Sequence, residues 1–371
     1  MDLKRQAASV VMVGFDARTP TSDVRELIRE GIAGCILFKR NVESARQVAT
    51  LCAALKQEAK RPFLLSVDQE GGRVARLRDS PFTAVPTMRA LGETDDETLA
   101  RDTGRLLARE VRAVGFDIDF APVLDVDTNP KNPVIADRSF ARDAGKVGRL
   151  GVALAQGLEE EGVASCGKHF PGHGDTHQDS HHTLPRLPHD MKRLREVELV
   201  PFAAYAKAGL ASLMTAHVVF EALDPGVPAT FSAKVQTGLV RGELGYQGVL
   251  VSDDLEMKAI ADRYGMTEAA VRSVGAGVDL LLVCHHIDRQ REVISALVKE
   301  AERSADFRTR LAEAAARVEK LTARFAAPVA DIDAALARLE TPEHRKLATR
   351  VSSLAVAVGI DPTEALPSRP A

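Results

Sequence analysis

One histidine-rich segment is the part of the chain richest in side chains that could do chemistry. This segment, KHFPGHGDTHQDSHHTLP at residues 168–185, contains five histidines. His173, His177 and His181 are four residues apart, which on a helix would place three zinc ligands on one face. A proline and two glycines at the start of the segment favour a loop instead, and no HExxH motif is present. We therefore expect no metal and no other cofactor.

The same segment contains an acid and an imidazole two residues apart, Asp179 and His181. A carboxylate beside an imidazole orients the ring and favours its protonated form. Such a pair suits the transfer of a proton to a leaving oxygen near neutral pH. By itself this spacing is a weak pattern, so a purely structural interpretation stays open.

A second motif, GVLVSDDLEM at residues 248–257, ends an apolar run with two aspartates. A carboxylate at a strand end could attack an anomeric carbon and form a glycosyl ester. Ser252 or either aspartate could equally cap the helix that follows. Asp253 and Asp254 can also divide these two roles.

Two further motifs carry charged groups that could hold a sugar. VDQEGGRVARLR at residues 67–78 has Asp68 at the end of an apolar run, followed by Arg73 and Arg76. An acid and a guanidinium that reach one cavity can fix several hydroxyl groups through charge-assisted hydrogen bonds. NPVIADRSF contributes Arg138, which indicates little by itself.

The elements that must position these residues are short apolar runs, which alternate with segments of helical periodicity. Continuous apolar runs are typical of strands covered on both faces. Eight such runs lie at residues 10–15, 34–38, 62–68, 116–126, 164–170, 212–219, 248–254 and 279–284. We predict an α/β fold, a (β/α)8 barrel of the TIM type, because eight strand–helix units fit a closed barrel better than a doubly wound sheet.

Two helix starts are indicated by the spacing of a capping box. Ser44 is followed three residues later by Gln47, and Thr94 is followed by Glu97 at the same distance. The first residue of such a pair caps the helix, and the second lies in its first turn. We therefore predict helix N-termini at Ser44 and Thr94.

Polar residues follow the predicted strands at several places. In a barrel of this type the carboxyl ends of the strands form the active-site face, so side chains far apart in sequence converge there. A single polar cluster could be an ordinary surface charge, whereas five together indicate a site. The clusters are Asp68 with Gln69 and Glu70, Lys168 with His169, His217, Asp253 with Asp254, and His285 with His286.

After the last predicted strand the sequence stays helical. We predict that residues 1–325 form the barrel and that residues 326–371 form a helical extension and tail. One apolar stripe at helical spacing closes the barrel part and consists of Phe307, Leu311, Ala314, Val318 and Leu321.

Composition excludes several classes of protein. The 371 residues are 45% hydrophobic and 27% charged with a net charge of -3, and basic residues form no run, so we expect no nucleic-acid partner. No segment reaches the ~20 apolar residues of a membrane span.

The four separated cysteines are predicted to be buried thiols. The apolar start of the chain is predicted to be the first strand and not a secretion signal. We expect a cytoplasmic protein and a monomer.

Together, KHFPGHG, DSH, SDDLEM and DQEGGRV resemble glycoside hydrolase family 3 over residues ~10 to ~325. More narrowly, the sequence is similar to the single-domain β-N-acetylglucosaminidases with which Gram-negative bacteria recycle peptidoglycan in the cytoplasm. The resemblance implies that Asp253 is the nucleophile and that His181 is the general acid/base, with Asp179 as its partner. It implies sugar-binding roles for Asp68, Arg76, Arg138, Lys168 and His169.

The resemblance further implies a small carbohydrate substrate with a terminal β-linked N-acetylglucosamine, hydrolysed with retention through a glycosyl-aspartate. The leaving group would be a 1,6-anhydro-muramyl peptide, another muramyl unit or a chitin fragment. Larger relatives append a second α/β domain that can supply a different acid/base. Residues 343–359 resemble the lead-in to that domain, but the sequence ends twelve residues later, so the acid/base is expected in the barrel.

The reaction itself is open to rival interpretations. A histidine acid/base would not repel phosphate, so phosphorolysis is a rival reaction, which product analysis in phosphate buffer would reveal. The sequence is also compatible with a β-glucosidase or β-xylosidase, a non-catalytic carbohydrate-binding protein and a metal-dependent hydrolase. Loss of activity in a chelator would indicate the last of these. If His181 is not the acid, His173 and Glu70 are the next candidates.

Overall fold

The chain folds around a closed barrel of parallel strands. A computed structural model describes residues 2–177, 184–328 and 331–357. Within these ranges each strand of the barrel pairs with the next along the chain, and the last closes on the first. The strands are Val11–Val13 (β1), Gly34–Leu37 (β2), Leu64–Val67 (β3), Ile118–Asp119 (β4), Ala164–Phe170 (β5), Ser212–Thr215 (β6), Val249–Asp254 (β7) and Leu280–Val283 (β8).

Each of these eight strands lies inside one predicted apolar run, so the predicted (β/α)8 barrel is confirmed. The largest difference in length is at β4, which is much shorter than the predicted run at residues 116–126. Pro122 interrupts the hydrogen-bond ladder there because it has no N–H to donate. Beyond it the backbone pairs with β5 again through an isolated bridge between Val123 and Lys168.

Helices surround the barrel and continue beyond its last strand. They are Leu3–Ala8 (α1), Ser22–Glu30 (α2), Ala45–Ala59 (α3), Met88–Thr94 (α4), Glu97–Ala113 (α5), Ala144–Glu160 (α6), Met191–Glu196 (α7), Leu199–Lys207 (α8), Lys258–Ala261 (α9), Met266–Ala276 (α10), Ile287–Arg303 (α11), Ala305–Phe325 (α12), Ile332–Leu336 (α13) and Pro342–Ala357 (α14). A π-helical stretch at Lys234–Glu243 precedes β7. None of the helices in the described ranges is long and apolar enough to cross a membrane.

Of the two predicted helix caps, one is confirmed and one is wrong. The hydroxyl of Ser44 accepts a hydrogen bond from the backbone N–H of Gln47 at the start of α3. Thr94 is instead the last residue of α4, and its hydroxyl donates to a carbonyl within that helix. The cap of α5 is Asp96, whose carboxylate accepts from the N–H of Leu99 at 3.0 Å. Aspartate is among the best N-cap residues, and here it displaces the threonine two positions earlier.

Outside the barrel the core is formed by the apolar faces of the helices. Every residue of the predicted stripe on α12 is buried.

All four cysteines lie in the described part of the chain and are buried free thiols, as predicted. Burial raises the pKa of Cys166 to about 12, and the pKa values of the other three rise as well. None of them is ionised at neutral pH.

One buried carboxylate connects the C-terminal helices to the barrel. Glu110 on α5 accepts hydrogen bonds from the N–H and the hydroxyl of Thr83 at 2.8 and 2.6 Å. It also accepts from the backbone N–H of Glu340 at 2.9 Å and lies 2.8 Å from Nδ1 of His344 on α14. Burial raises the pKa of Glu110, but the contacts with His344 and Thr83 outweigh it and lower this pKa below its usual value.

We expect Glu110→Gln to lower the free energy of unfolding by about 2 to 3 kcal/mol at neutral pH. The reason is that a neutral amide replaces the buried carboxylate that accepts hydrogen bonds from Thr83, Glu340 and His344. The lowered pKa means that the carboxylate stabilises the fold above its unfolded pKa and loses this effect as the pH falls through the folded value. The difference between wild type and variant, measured by urea denaturation, should therefore shrink in acid. Glu97→Gln, on the exposed start of the same helix, is the control. An equal loss in both variants would contradict the role of the Glu110 contacts.

Candidate active site

A network of buried charges lies at the carboxyl ends of β3 and β5. Lys168 places its Nζ atom 2.9 Å from Asp68 and 2.6 Å from Glu70. The guanidinium of Arg138 donates two hydrogen bonds of 2.8 Å to the carboxylate of Glu70, and the guanidinium of Arg76 donates one of 3.1 Å to Asp68. Bidentate guanidinium–carboxylate pairs fix orientation as well as position. The network therefore presents a rigid set of donors and acceptors at the mouth of the barrel.

These groups stay charged although they are buried. Burial raises the pKa of Glu70, but the charges of Arg138 and Lys168 outweigh it and hold this pKa at about 2. Burial acts in the same direction on Asp68, whose pKa Lys168 and Arg76 hold well below its usual range. Burial lowers the pKa of Lys168, yet the two carboxylates raise it above its usual value. Each charge is thus maintained by its partners.

The loop that carries Arg138 is held by a second arginine. Arg73 donates to Asp137 at 2.7 Å and to the carbonyls of Val134 and Ile135 at 2.8 and 3.1 Å. The sequence analysis named Arg73 and Arg76 in one motif and did not distinguish a structural role from a sugar-binding role. Its contacts make Arg73 a support of the loop.

Another acid, Asp125, which lies in the chain beyond β4, organises the start of the histidine-rich segment. Its carboxylate lies 2.7 Å from Nδ1 of His169 and accepts from the backbone N–H of His173 at 2.6 Å. Burial opposes ionisation of Asp125, but His169 lowers its pKa below the usual value. A carboxylate on Nδ1 fixes both the rotamer and the tautomer of the His169 ring. Sequence analysis missed Asp125, although its place at the end of the predicted run at residues 116–126 could have revealed it.

His173 is a neutral imidazole inside the site. Burial, followed by the neighbouring His169, lowers its pKa to about 4, and the charges of Asp125 and Asp253 only partly oppose this. Its Nδ1 atom lies 2.8 Å from the hydroxyl of Thr176. A group with this pKa does not hold a proton to donate at neutral pH. Glu70, with a pKa of about 2, is equally unsuited.

Asp253 and Asp254 end β7 and have different surroundings. Asp254 accepts from the N–H groups of Glu256 and Cys284 at 3.1 and 3.2 Å and lies 3.1 Å from Nε2 of His285. This hydrogen bond raises the pKa of His285. Asp254 therefore ties the end of β7 to the end of β8. Asp253 accepts from the N–H of Asp254 at 2.8 Å.

The remaining predicted clusters are held in the same region. His217 lies 3.1 Å from the carbonyl oxygen of Asp254 and 2.8 Å from the hydroxyl of Thr230. His286 lies 2.6 Å from Glu256, whose side chain also accepts from the backbone N–H of His285. The hydrogen bonds of these histidines connect the segments that follow β6, β7 and β8.

The predicted pair Asp179 and His181 lies outside the described residues. The chain before it is fixed by Asn132, which donates to the carbonyls of His173 and Gly174 at 2.8 and 3.0 Å. After it, Arg186–Leu187 pairs with the short strand Val219–Phe220. The described residues on both sides of this pair are therefore held by hydrogen bonds.

The zinc interpretation receives no geometric support from the described residues. Within residues 2–177, 184–328 and 331–357 no three histidine, cysteine or acidic side chains are placed to share a metal ion. Nδ1 of His173 contacts Thr176, and Nδ1 of His177 lies 3.1 Å from the Asn129 amide. Since His181 lies outside these ranges, the absence of a metal stays a prediction.

Comparison with known proteins defines the family. Residues 3–321 match the glycosyl hydrolase family 3 N terminal domain. The chain belongs to glycosyl hydrolase family 3. A β-hexosaminidase of Bordetella parapertussis is 39% identical over 326 residues, which is 86% of this chain and 89% of the relative. A β-hexosaminidase of Thiobacillus denitrificans is 41% identical over 296 residues, 78% of this chain and 81% of the relative.

Solved structures of family 3 proteins share the fold. A family 3 β-N-acetylglucosaminidase from Paenibacillus sp. superposes with a TM-score of 0.89 at 41% identity, covering 96% of this chain and 69% of the other. NagZ from Neisseria gonorrhoeae, in complex with N-trifluoroacetyl-D-glucosamine, gives a TM-score of 0.77 at 34% identity over 93% of this chain and 98% of the other.

In this family 3 barrel the structure brings four of the predicted sugar-binding residues into one network. Lys168 joins Asp68 to the Glu70–Arg138 pair, Arg76 holds Asp68, and His169 follows Lys168 directly. Their sugar-binding roles and the catalytic roles of Asp253 and His181 stay predictions.

The contacts of the two aspartates on β7 predict different effects of replacing them. Asp254→Ala leaves the N–H of Cys284 without its acceptor and should destabilise the fold by about 2 kcal/mol. Asp253→Ala, the change at the predicted nucleophile, should abolish turnover with little change in melting temperature. Thermal melts and turnover of an aryl β-N-acetylglucosaminide would be measured on both variants. A stable but inactive Asp254→Ala beside an active Asp253→Ala would show that the two roles are assigned the wrong way round.

Proposed function

We propose that this glycoside hydrolase, a β-N-acetylhexosaminidase, removes terminal β-linked N-acetylglucosamine with retention of configuration. Asp253 forms a covalent glycosyl ester and His181 transfers the proton. The observation that carries the proposal is the ionised network of Asp68, Lys168 and Glu70, which lies on the same barrel face as the carboxylate of Asp253. A buried, preorganised set of charges suits the hydroxyl groups of one sugar ring.

The reaction has two steps. Asp253 attacks the anomeric carbon as the glycosidic bond breaks, and His181 protonates the departing oxygen. His181 then removes a proton from water, which attacks the same carbon and releases the sugar from Asp253. Each step inverts the anomeric centre, so the two together retain its configuration. The backbone N–H of Asp254, 2.8 Å from Oδ1 of Asp253, orients the attacking carboxylate.

The described site supports the choice of His181 over the two alternatives that the sequence offered, Glu70 and His173. Glu70 is bound by Arg138 and Lys168 and stays ionised, while His173 stays neutral at physiological pH. Neither can act as the acid in the first step. Asp179, two residues before His181, can orient its imidazole and favour the charged form.

The finer part of the proposal concerns the substrate. The N. gonorrhoeae neighbour is in complex with N-trifluoroacetyl-D-glucosamine, a 2-acylamino sugar. As the resemblance of the sequence motifs implies, we extend the proposal to a muramyl leaving group, a 1,6-anhydro-muramyl peptide of cytoplasmic peptidoglycan recycling. A chitin fragment is the other substrate to be compared.

The substrate is tested with a panel of aryl β-glycosides that share one leaving group. We expect kcat/KM for the N-acetylglucosaminide to exceed that for the glucoside and the xyloside by at least about tenfold, because an acetamido group contributes contacts that a hydroxyl group lacks. Product analysis in phosphate buffer distinguishes hydrolysis from phosphorolysis. A preference for the glucoside or xyloside would refute the proposed substrate but not the retaining mechanism.

The role of His181 is tested through the leaving group. An activated phenol departs almost without help, whereas a sugar alcohol needs a proton, so His181→Ala should slow the disaccharide far more than the activated substrate, by about 10²- to 10⁴-fold. Asp179→Ala should act in the same direction but more mildly, because it tunes the imidazole without transferring the proton. The measurement is kcat/KM against leaving-group pKa.

His182→Ala, the change at the next histidine, is the matched control and should keep the slope of the wild type. If the slope fails to steepen in His181→Ala, another group donates the proton.

A further inference from the structure

Asp119, the last residue of β4, is an acid that neither the sequence motifs nor the proposed reaction uses. Its side chain has no exposure to solvent. Oδ1 accepts a hydrogen bond from the backbone N–H of Gln69 at 2.9 Å. Oδ2 has no hydrogen-bond partner anywhere in the described ranges. A buried polar atom without a partner is costly, so its presence calls for a reason.

Gln69, whose backbone N–H donates to Asp119, forms further hydrogen bonds through its side chain. The amide oxygen of Gln69 accepts from the N–H groups of Arg76 and Leu77 at 2.9 and 3.0 Å. Its amide nitrogen donates to the carbonyl of Leu77 at 2.9 Å. The Gln69 side chain thus fixes the backbone from which Arg76 reaches Asp68. A continuous chain of contacts leads from Asp119 to the charged network.

Burial and most of the nearby acids raise the pKa of Asp119. Burial is the strongest influence and raises the pKa of Asp119 well above its usual range, and the nearby Asp68 and Glu70 raise it further. The N–H of Gln69 and the charge of Lys168 act in the opposite direction without reversing the shift. Cys166 on β5, whose thiol stays protonated, also faces this acid.

We propose that Asp119 and Gln69 are positioning residues that preset the sugar-binding side of the site. Asp119 fixes the backbone of Gln69, and the Gln69 amide fixes the segment from which Arg76 holds Asp68. The inference rests on the proposed function, since it takes Asp68 and Arg76 to bind the sugar. Because these residues do not touch the reacting atoms, their loss should weaken substrate binding more than it slows the chemical steps.

The kinetic test compares Asp119→Ala with Asp119→Asn on an aryl β-N-acetylglucosaminide. Asp119→Ala removes the acceptor for Gln69 and should raise KM about tenfold while kcat changes less than about threefold. Asp119→Asn keeps an acceptor in the same place without adding a charge, so it should restore most of the wild-type KM. If Asp119→Ala does not fold, Gln69→Glu takes its place, since it removes the donor to Leu77.

Asp117 provides the matched control. It lies two residues earlier, next to the amino end of β4, and pairs with Lys56 at 2.7 Å and with the N–H of Leu65 at 2.9 Å. Asp117→Ala should lower the melting temperature without raising KM. If Asp117→Ala and Asp119→Ala raise KM alike, or if Asp119→Asn is as impaired as Asp119→Ala, the positioning role is refuted.

A second measurement tests Asp119 without any activity. In the fold, burial raises the pKa of the Asp119 carboxyl, whereas in the unfolded chain this carboxyl ionises near pH ~3.9. The folded state then binds more protons, so wild-type stability falls as the pH rises above that value, and Asp119→Asn lacks this loss. The melting temperature of Asp119→Asn should therefore rise relative to wild type between pH 4 and pH 7. A constant difference would refute the uncharged state. If the wild type hydrolyses no N-acetylglucosaminide, the proposed function fails, and this measurement still decides the state of Asp119.

Discussion

The contacts of one buried ammonium group determine how this barrel mouth is built. Lys168 lies between Asp68 and Glu70 and joins β5 to the end of β3. A buried charge is tolerated only when it is paired, and removal of one partner typically costs about 3 to 5 kcal/mol. Two carboxylates around one lysine leave one negative charge in excess, which Arg138 and Arg76 more than compensate. The rest of the network follows from the requirement that each buried charge has a partner of opposite sign.

The aspartates at the strand ends show how surroundings divide one residue type into several states. Asp68 is ionised between Lys168 and Arg76, whereas burial raises the pKa of Asp119 well above its usual range in the same region. Asp125 is ionised against a histidine, and Asp254 serves mainly as an acceptor for backbone N–H groups. Local desolvation and neighbouring charge decide each case.

The sequence was sufficient to predict the barrel because parallel strands buried on both faces require continuous apolar runs. It was less reliable at element ends, as Thr94 shows, since several good capping residues compete within a few positions. It predicted Asp68 and Lys168 through a family resemblance but not their contact, which joins residues 100 positions apart. Asp119 and the buried Glu110–His344 pair could not be predicted from the sequence, because their importance depends on partners brought close only by the closed fold.

The four buried thiols make the barrel suited to measurements of its own motion. Cys35 lies in β2, Cys166 lies in β5, and Cys284 follows β8, so three of them mark separate sectors of the barrel wall. Only the thiolate reacts with alkylating reagents, and burial suppresses its formation. Modification then requires a local opening that exposes the sulfur to water. The alkylation rate of each cysteine would report how often its own sector opens, with no label added to the native chain.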